Sequence, residues 1–177
     1  MENIHIKTER LIITKFDESM ARSLHIQSLD EDTRRFLPDE VFETEARARD
    51  VIRHLMQCYG SVEGPFVYSV SCLFCDENIG YVQAVWLGDD NLEIGYKIAE
   101  KYTGKGYATE ALCAFIPVAM SELGVSEIWG IVHAGNVASC RVLEKVGFRL
   151  VRRYAREYHG EAREVCEYLY TAEMSMR

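Results

Sequence analysis

Between Phe66 and Phe74 the apolar side chains Phe66, Tyr68, Val70, Cys72 and Phe74 fall at every second position, predicting a strand with one strongly buried face. Asp76-Glu77-Asn78 reads as a turn, Ile79 to Leu87 as a second strand and Asp89-Asp90-Asn91 as a second turn. From Leu92 to Ile98 the alternation resumes, with Leu92, Ile94, Tyr96 and Ile98 on one face and Glu93, Gly95 and Lys97 on the other. These three segments predict an antiparallel meander. Upstream, the β-branched run Glu9 to Phe16 predicts a first strand.

Helical spacing governs the rest of the first half. A helix is expected from about Glu18 to Ser28, with Met20, Leu24 and Leu29 on one side, and a short one within Asp30 to Glu40, ended by Pro38. A stronger helix, about Thr44 to Tyr59, is capped by Thr44, carries Val51, Ile52, Leu55 and Met56, and breaks at Gly60 to Pro65. After the meander, a helix from about Tyr107 to Leu123 ends at Gly124, with Pro117 expected to kink it. Glu127 to Val132 reads as a strand buried on both faces, and about Asn136 to Val146 as a helix capped by Asn136 and stopped by Gly147. Two strands, Phe148 to Arg156 and Arg163 to Thr171, close the order around a turn near His159-Gly160. The fold class is α+β, or mixed α/β, with one central sheet.

At 177 residues and 48% apolar content the chain fits a single domain, residues 1–177, with a substantial core. A net charge of −8 argues against general nucleic-acid binding and suits a cationic partner such as an amine. No apolar run approaches the roughly 18 residues that span a bilayer, and MENIHIKTER lacks an apolar signal core, so a cytoplasmic protein without membrane attachment is expected. The six cysteines fall mostly within periodic apolar patterns and read as reduced core thiols. For Cys72 and Cys75, a CxxC without a second pair, core packing is favoured over a metal or redox role.

The stretch Lys101 to Leu112, KYTGKGYATEAL, lies where a strand gives way to a helix. Such a junction points unpaired N–H groups outward with the positive end of the helix dipole behind them, and glycine lets an anion approach. The spacing matches neither a P-loop nor G-x-G-x-x-G, so nucleoside triphosphate and dinucleotide readings are weak.

The segment LEIGYKIAEKYTGKGYATEAL, then EIWGIV, then NVASCRVLEKVGF, resembles the GNAT superfamily of acyl-CoA-dependent N-acetyltransferases, in particular its Rim-type branch. TERLIITKF resembles that branch's first strand, so the likeness runs from about Thr8 to Phe148. It implies a mostly antiparallel central sheet with a splayed middle strand flanked by helices, and acetyl-CoA as cosubstrate without a metal. The family's phosphate-loop pattern falls on Thr103 to Ala108, with Thr103 in place of a longer polar side chain. Gly104, Lys105, Gly106, Tyr107, Ala108 and Thr109 are thereby implied at the pyrophosphate, and Tyr96, Lys97 and Ile98 along the pantetheine arm.

Asn136 and Ser139 occupy the family's N-x-x-S positions, implying that Asn136 contacts the arm and Ser139 lies near the sulfur. An amine must lose a proton before attacking a thioester, and the departing thiolate must be stabilised. Glu93 is the expected base, acting through water, with His133 in reserve; its bland alternative is a solvated or ion-paired strand glutamate. The acid is expected to be Ser139, because the position where many relatives place a tyrosine holds Leu143. Cys140 invites an acyl-cysteine route, but direct transfer in a ternary complex is preferred. Arg149, Arg152, Arg153, Arg156 and Arg163 read as a solvated sheet face.

These residues predict an N-acetyltransferase acting on a primary amine, either a protein or peptide N-terminus or a small molecule, as a monomer or homodimer. The alternative is a non-catalytic module that senses acyl-CoA.

Overall fold

The structure is a computed structural model describing residues 4–172 except 60, 62, 76, 89, 90 and 159. Eight strands form one sheet: β1 (His5–Lys7), β2 (Leu11–Thr14), β3 (Phe66–Cys72), β4 (Glu77–Trp86), β5 (Leu92–Ile98), β6 (Glu127–His133), β7 (Arg149–Tyr158) and β8 (Glu161–Thr171). Their spatial order is β1-β2-β3-β4-β5-β6-β8-β7, antiparallel throughout except for the β5–β6 pair. The helices α1 (Ala21–Ser28), α2 (Glu31–Phe36), α3 (Glu45–Cys58), α4 (Tyr107–Leu123) and α5 (Val137–Val146) flank it. Among the described residues no helix is long and apolar enough to cross a membrane.

The expected first strand is two strands, because Thr8 folds the chain back: its hydroxyl accepts the Leu11 N–H at 2.9 Å and its own N–H bonds the Leu11 carbonyl at 2.9 Å. The Thr44 cap holds, accepting the Arg47 N–H at 3.2 Å, and α3 buries Ala48, Ile52 and Leu55. Met56, expected with them, is 45% exposed. Pro117 lies inside a continuous α4, which stops at Gly124 as α5 stops at Gly147.

β3 differs from its expected one-sided burial. Lying between β2 and β4, it buries Val67 and Ser69 as well as Phe66, Tyr68 and Val70, so both faces are covered. The strand ends at Cys72; Phe74, expected on the buried face, is 77% exposed in the following turn, and Cys75 is exposed beside it. Alternation extrapolated past the true end of the strand produced both errors. β4 already begins at Glu77, and the expected turn residues Asp76, Asp89, Asp90 and His159 lie outside the described residues.

β6 is less enclosed than its apolar run predicts, with only Ile128 and Gly130 fully buried. The cause is topological: a single register pair, Glu93 with Trp129, joins it to β5. The arginine-bearing β7 is the exposed sheet edge, and its Arg152 ion-pairs with Glu167 of β8, a charged edge that discourages further strand pairing.

Candidate active site

β5 is fully paired on one side, from Gly80 with Ile98 to Trp86 with Leu92. Beyond Glu93 its other side parts from β6, so the backbone of Tyr96, Lys97 and Ile98 faces a gap instead of a ladder partner. A cleft of about 340 Å³ fills this region. β5 contributes Tyr96, Lys97 and Ile98; the loop and start of α4 contribute Gly104, Gly106, Tyr107, Ala108 and Thr109; α5 and its cap contribute Asn136, Ser139, Arg141 and Lys145. Asp32, Thr33 and Phe36 of α2 close the remaining side.

The loop geometry is that of an anion cradle. Gly104 (φ 73°) and Gly106 (φ 81°) are left-handed, a conformation that a side chain would strain, and Gly106 is the N-cap of α4. A cap without a side chain leaves the first N–H groups of α4 free for a ligand, with the helix dipole behind them. Space around Gly104 is open, since an added Cβ would meet nothing within 4 Å. The loop therefore fits a pyrophosphate. Thr103, the departure from the expected pattern, lines the cleft while its hydroxyl turns back to the Glu100 carbonyl at 2.9 Å.

A network invisible to sequence reasoning fixes this loop from behind. Arg10 donates from Nη1 to the Lys105 carbonyl at 3.0 Å, pairs with Glu110 at 2.6 Å, and lies 4.5 Å from the centroid of the Tyr107 ring. Glu110 also accepts from the Thr8 hydroxyl at 2.6 Å and the Arg10 N–H at 3.0 Å. Although burial opposes ionisation of Glu110, these donors together hold its carboxyl below the usual range. Arg10 and Glu110 stand 100 residues apart in the chain, so no local pattern in the sequence shows that they meet.

Across the gap, Asn136 accepts the Ser139 N–H at 3.1 Å and so caps α5 while also lining the cleft. The Tyr96 hydroxyl donates to the Ser139 carbonyl at 3.2 Å, tying β5 to α5 where the strands diverge. Burial pushes the Tyr96 phenol up to about 12, keeping it protonated. Arg141 and Lys145, one turn apart on the same face of α5, add positive charge to the cleft.

Glu93 sits at the closed end of the gap, paired with Trp129. Glu93 is half-buried, and burial pushes its carboxyl up to about 7, against the pull of Arg156 and the Ile131 backbone N–H. It does not line the main cleft, and neither does Lys105, whose ammonium folds back to the Lys101 carbonyl at 3.2 Å. His133 ends β6, its Nδ1 accepting the Gly135 N–H at 3.0 Å and its ring meeting Phe36, which lines the cleft. Leu143 is core, against Gly130 and Phe148.

Lys97 carries more than backbone. Its side chain is buried, and Nζ donates to the Gln27 carbonyl and the Thr33 hydroxyl with Asp30 4.0 Å away. Asp30 in turn accepts the Glu100 N–H at 2.9 Å, so the α1–α2 corner is fastened to both ends of the turn that follows β5. At the opposite rim the first helices meet the last hairpin, Tyr158 donating to Asp39 at 2.5 Å.

The fold and the cleft are those of an acetyltransferase. The chain belongs to the GNAT family, because the Acetyltransferase (GNAT) domain matches residues 10–149. An uncharacterized N-acetyltransferase of Bacillus subtilis, YnaD, is 27% identical over 149 residues, covering 82% of this chain and 83% of its own. A GNAT-family acetyltransferase from Bacillus anthracis superposes with a TM-score of 0.82 at 26% identity, covering 96% of this chain and 99% of its own. The RimL ribosomal L7/L12 alpha-N-protein acetyltransferase, solved in complex with coenzyme A, shares the fold at a TM-score of 0.82 and 20% identity over 95% of this chain and 98% of its own.

Proposed function

We propose that this acetyltransferase moves an acetyl group from acetyl-CoA to a primary amine, a protein N-terminus or a small-molecule amine, by direct attack in a ternary complex. The observation that carries this reading is the convergence of the anion loop, the unpaired edge of β5 and the start of α5 on one cleft. When bound, acetyl-CoA supplies the acetyl group as an activated thioester. Backbone N–H groups from Gly104 to Thr109 hold the pyrophosphate, and Tyr96, Lys97 and Ile98 pair with the amide-bearing arm as a strand would. Asn136 adds a polar contact to that arm.

Glu93 takes the acceptor's proton through water, and a carboxylate poised near neutrality suits that task. Ser139 and Tyr96 both line the α5 side of the gap, and their hydroxyls are the groups that stabilise a departing thiolate there. The acidic groups Asp32 and Glu100 on the cleft favour a cationic acceptor. RimL is described as acting on a ribosomal protein's alpha-amine, which supports a peptide N-terminus as one acceptor class. The test is a screen of peptides, polyamines and amino sugars scored by release of free CoA. Turnover on one class identifies the acceptor. Binding of acetyl-CoA with no turnover on any class would replace this reading with that of a sensor module.

A further inference from the structure

Three sides of the cleft are the anion loop, the unpaired edge of β5 and the start of α5. The fourth side, which no cofactor group claims, is formed by Thr33 and Phe36 of α2 and by Leu37 after it. With six residues, α2 is too short to hold its shape or its place alone, so tertiary contacts set where it lies. Those contacts reach both parts of the sheet. At the start of the segment, the buried Thr33 hydroxyl accepts from the Lys97 ammonium of β5, and Asp30, the N-cap of α2, accepts the Glu100 N–H at 2.9 Å just beyond that strand. At its far end, the Arg35 carbonyl accepts from Arg163 of β8 at 3.5 Å, and Asp39 accepts from the Tyr158 hydroxyl of β7 at 2.5 Å.

Residues 30–39 therefore form a strap pinned to β5 on one side of the strand opening and to β7 and β8 on the other. Phe36 is the aromatic side chain that this strap presents to the cleft. Its ring meets His133 of β6 with centroids 5.5 Å apart, and the Arg35 guanidinium lies 4.9 Å from its centroid. It is only half-buried, so part of the ring is left for a ligand to touch. An apolar ring held by partners of its own is a fixed wall, and a fixed wall selects by size.

We propose that Phe36 is a specificity-determining residue for the acceptor, packing against the group carried on the carbon next to the primary amine, and that Tyr158 is a positioning residue that holds the strap behind it. The proposal rests on the reading of the cleft as an acetyl-transfer site, in which the cofactor occupies three sides and the acceptor meets the fourth. Because Phe36 and Leu37 make that side apolar and a full aromatic ring already fills part of it, the acceptor class is a primary amine with a small, uncharged substituent beside the nitrogen. Shortening Phe36 opens room for a larger one. Loosening the strap at Tyr158 leaves the wall in place but less firmly set, which weakens capture of the acceptor without touching the reacting atoms.

The whole protein and its Phe36→Ala, Phe36→Leu and Tyr158→Phe variants are assayed by CoA release with tetrapeptides that differ only in a first residue of glycine, alanine, leucine or phenylalanine, and with ethylamine, isobutylamine and phenethylamine. Phe36→Ala is expected to raise kcat/KM for the large members relative to the small ones about tenfold, with Phe36→Leu between it and the parent. Tyr158→Phe is expected to raise the acceptor KM about fivefold, as for loss of one hydrogen bond, with kcat and the Kd for CoA unchanged, a split that general destabilisation does not produce. A size ratio unchanged in whichever Phe36 variant folds, or a Tyr158→Phe variant whose acceptor KM stays at the parent value or whose loss falls on kcat, overturns the proposal. If CoA binds but no amine is turned over, the transfer reading fails, and calorimetric titration of the same amines into the CoA complex decides the wall separately. A size ranking altered in Phe36→Leu then supports it, and an unaltered ranking or no binding overturns it.

Discussion

Arg10 and Lys105 are joined by a 3.0 Å hydrogen bond from guanidinium to carbonyl, and this contact fastens the first β-turn of the chain to the anion loop. Because the same guanidinium pairs with Glu110 and covers Tyr107, the loop is held in place before any ligand arrives. Arg10→Met removes the bond, the ion pair and the cation over the ring together. The Kd for CoA is expected to rise about tenfold, corresponding to the 1–2 kcal/mol of a charge-assisted bond. Calorimetry measures it, and an unchanged Kd would show that the loop needs no such support.

Gly106→Glu sets a left-handed strain of about 1–2 kcal/mol and a negative charge at the cradle. The fold should survive with a modestly lowered melting temperature, while CoA affinity falls by roughly a hundredfold or more through charge repulsion. An intact affinity in the folded variant would remove the pyrophosphate from this loop.

With Glu93 pushed up to about 7, turnover at saturating acceptor should climb as the pH passes through about 7, where the base loses its proton. Glu93→Gln is expected to lower kcat by about a hundredfold and to abolish that limb of the profile. A variant that keeps the same limb assigns it to another group.

The Tyr96 hydroxyl donates to the Ser139 main-chain carbonyl across the gap, a bond that Ser139→Ala leaves in place. Tyr96→Phe and Ser139→Ala should each lower kcat about tenfold with little change in the acceptor KM. The double variant should fall short of the product of the two, because the residues are in direct contact and effects of neighbouring sites are not additive. A strictly multiplicative result would separate their roles.

Glu40 has a buried Oε2 without a hydrogen-bond partner among the described residues. Burial pushes its carboxyl up to about 7, Lys97 opposes this, and Asp39 adds to it. A raised acid pKa stabilises the fold fully below the ordinary value of 4.5, and that contribution is lost as the pH rises through about 7. Glu40→Gln should therefore unfold like the parent protein at pH 4.5 but resist denaturant better at pH 8. The gain is about 1–2 kcal/mol after allowance for partial solvent access to the residue. Equal stability at pH 8 would indicate that Glu40 has found a partner.

The meander, α3 with its Thr44 cap, and the two glycine-ended helices were legible because each depends on local periodicity and capping. The main-cleft residues from Tyr96 to Asn136 were legible because strand, loop and helix follow one another along the chain. Arg10 was not, since its role depends on β2 lying two strands from β4 while its turn reaches the start of α4. Lys97 was read only for its backbone, because alternation cannot show that α1 and α2 fold over it. Cys75 was misplaced because a period of two has no internal mark for where a strand stops.

The sheet has two parts, β1 to β5 and β6 to β8, sharing one register pair at Glu93 and Trp129. Wherever strands diverge, backbone pairing gives up cohesion that something else must restore. A ligand lodged in that opening bonds to both parts at once, so it acts as an adhesive for the fold as well as a reagent. Occupancy at a hundred times Kd adds about 2.7 kcal/mol to folding stability by mass action. On the proposed function, the supply of cosubstrate is thus expected to set not only how fast the enzyme turns over but also how long the two halves of its sheet stay together, which thermal unfolding with and without CoA measures.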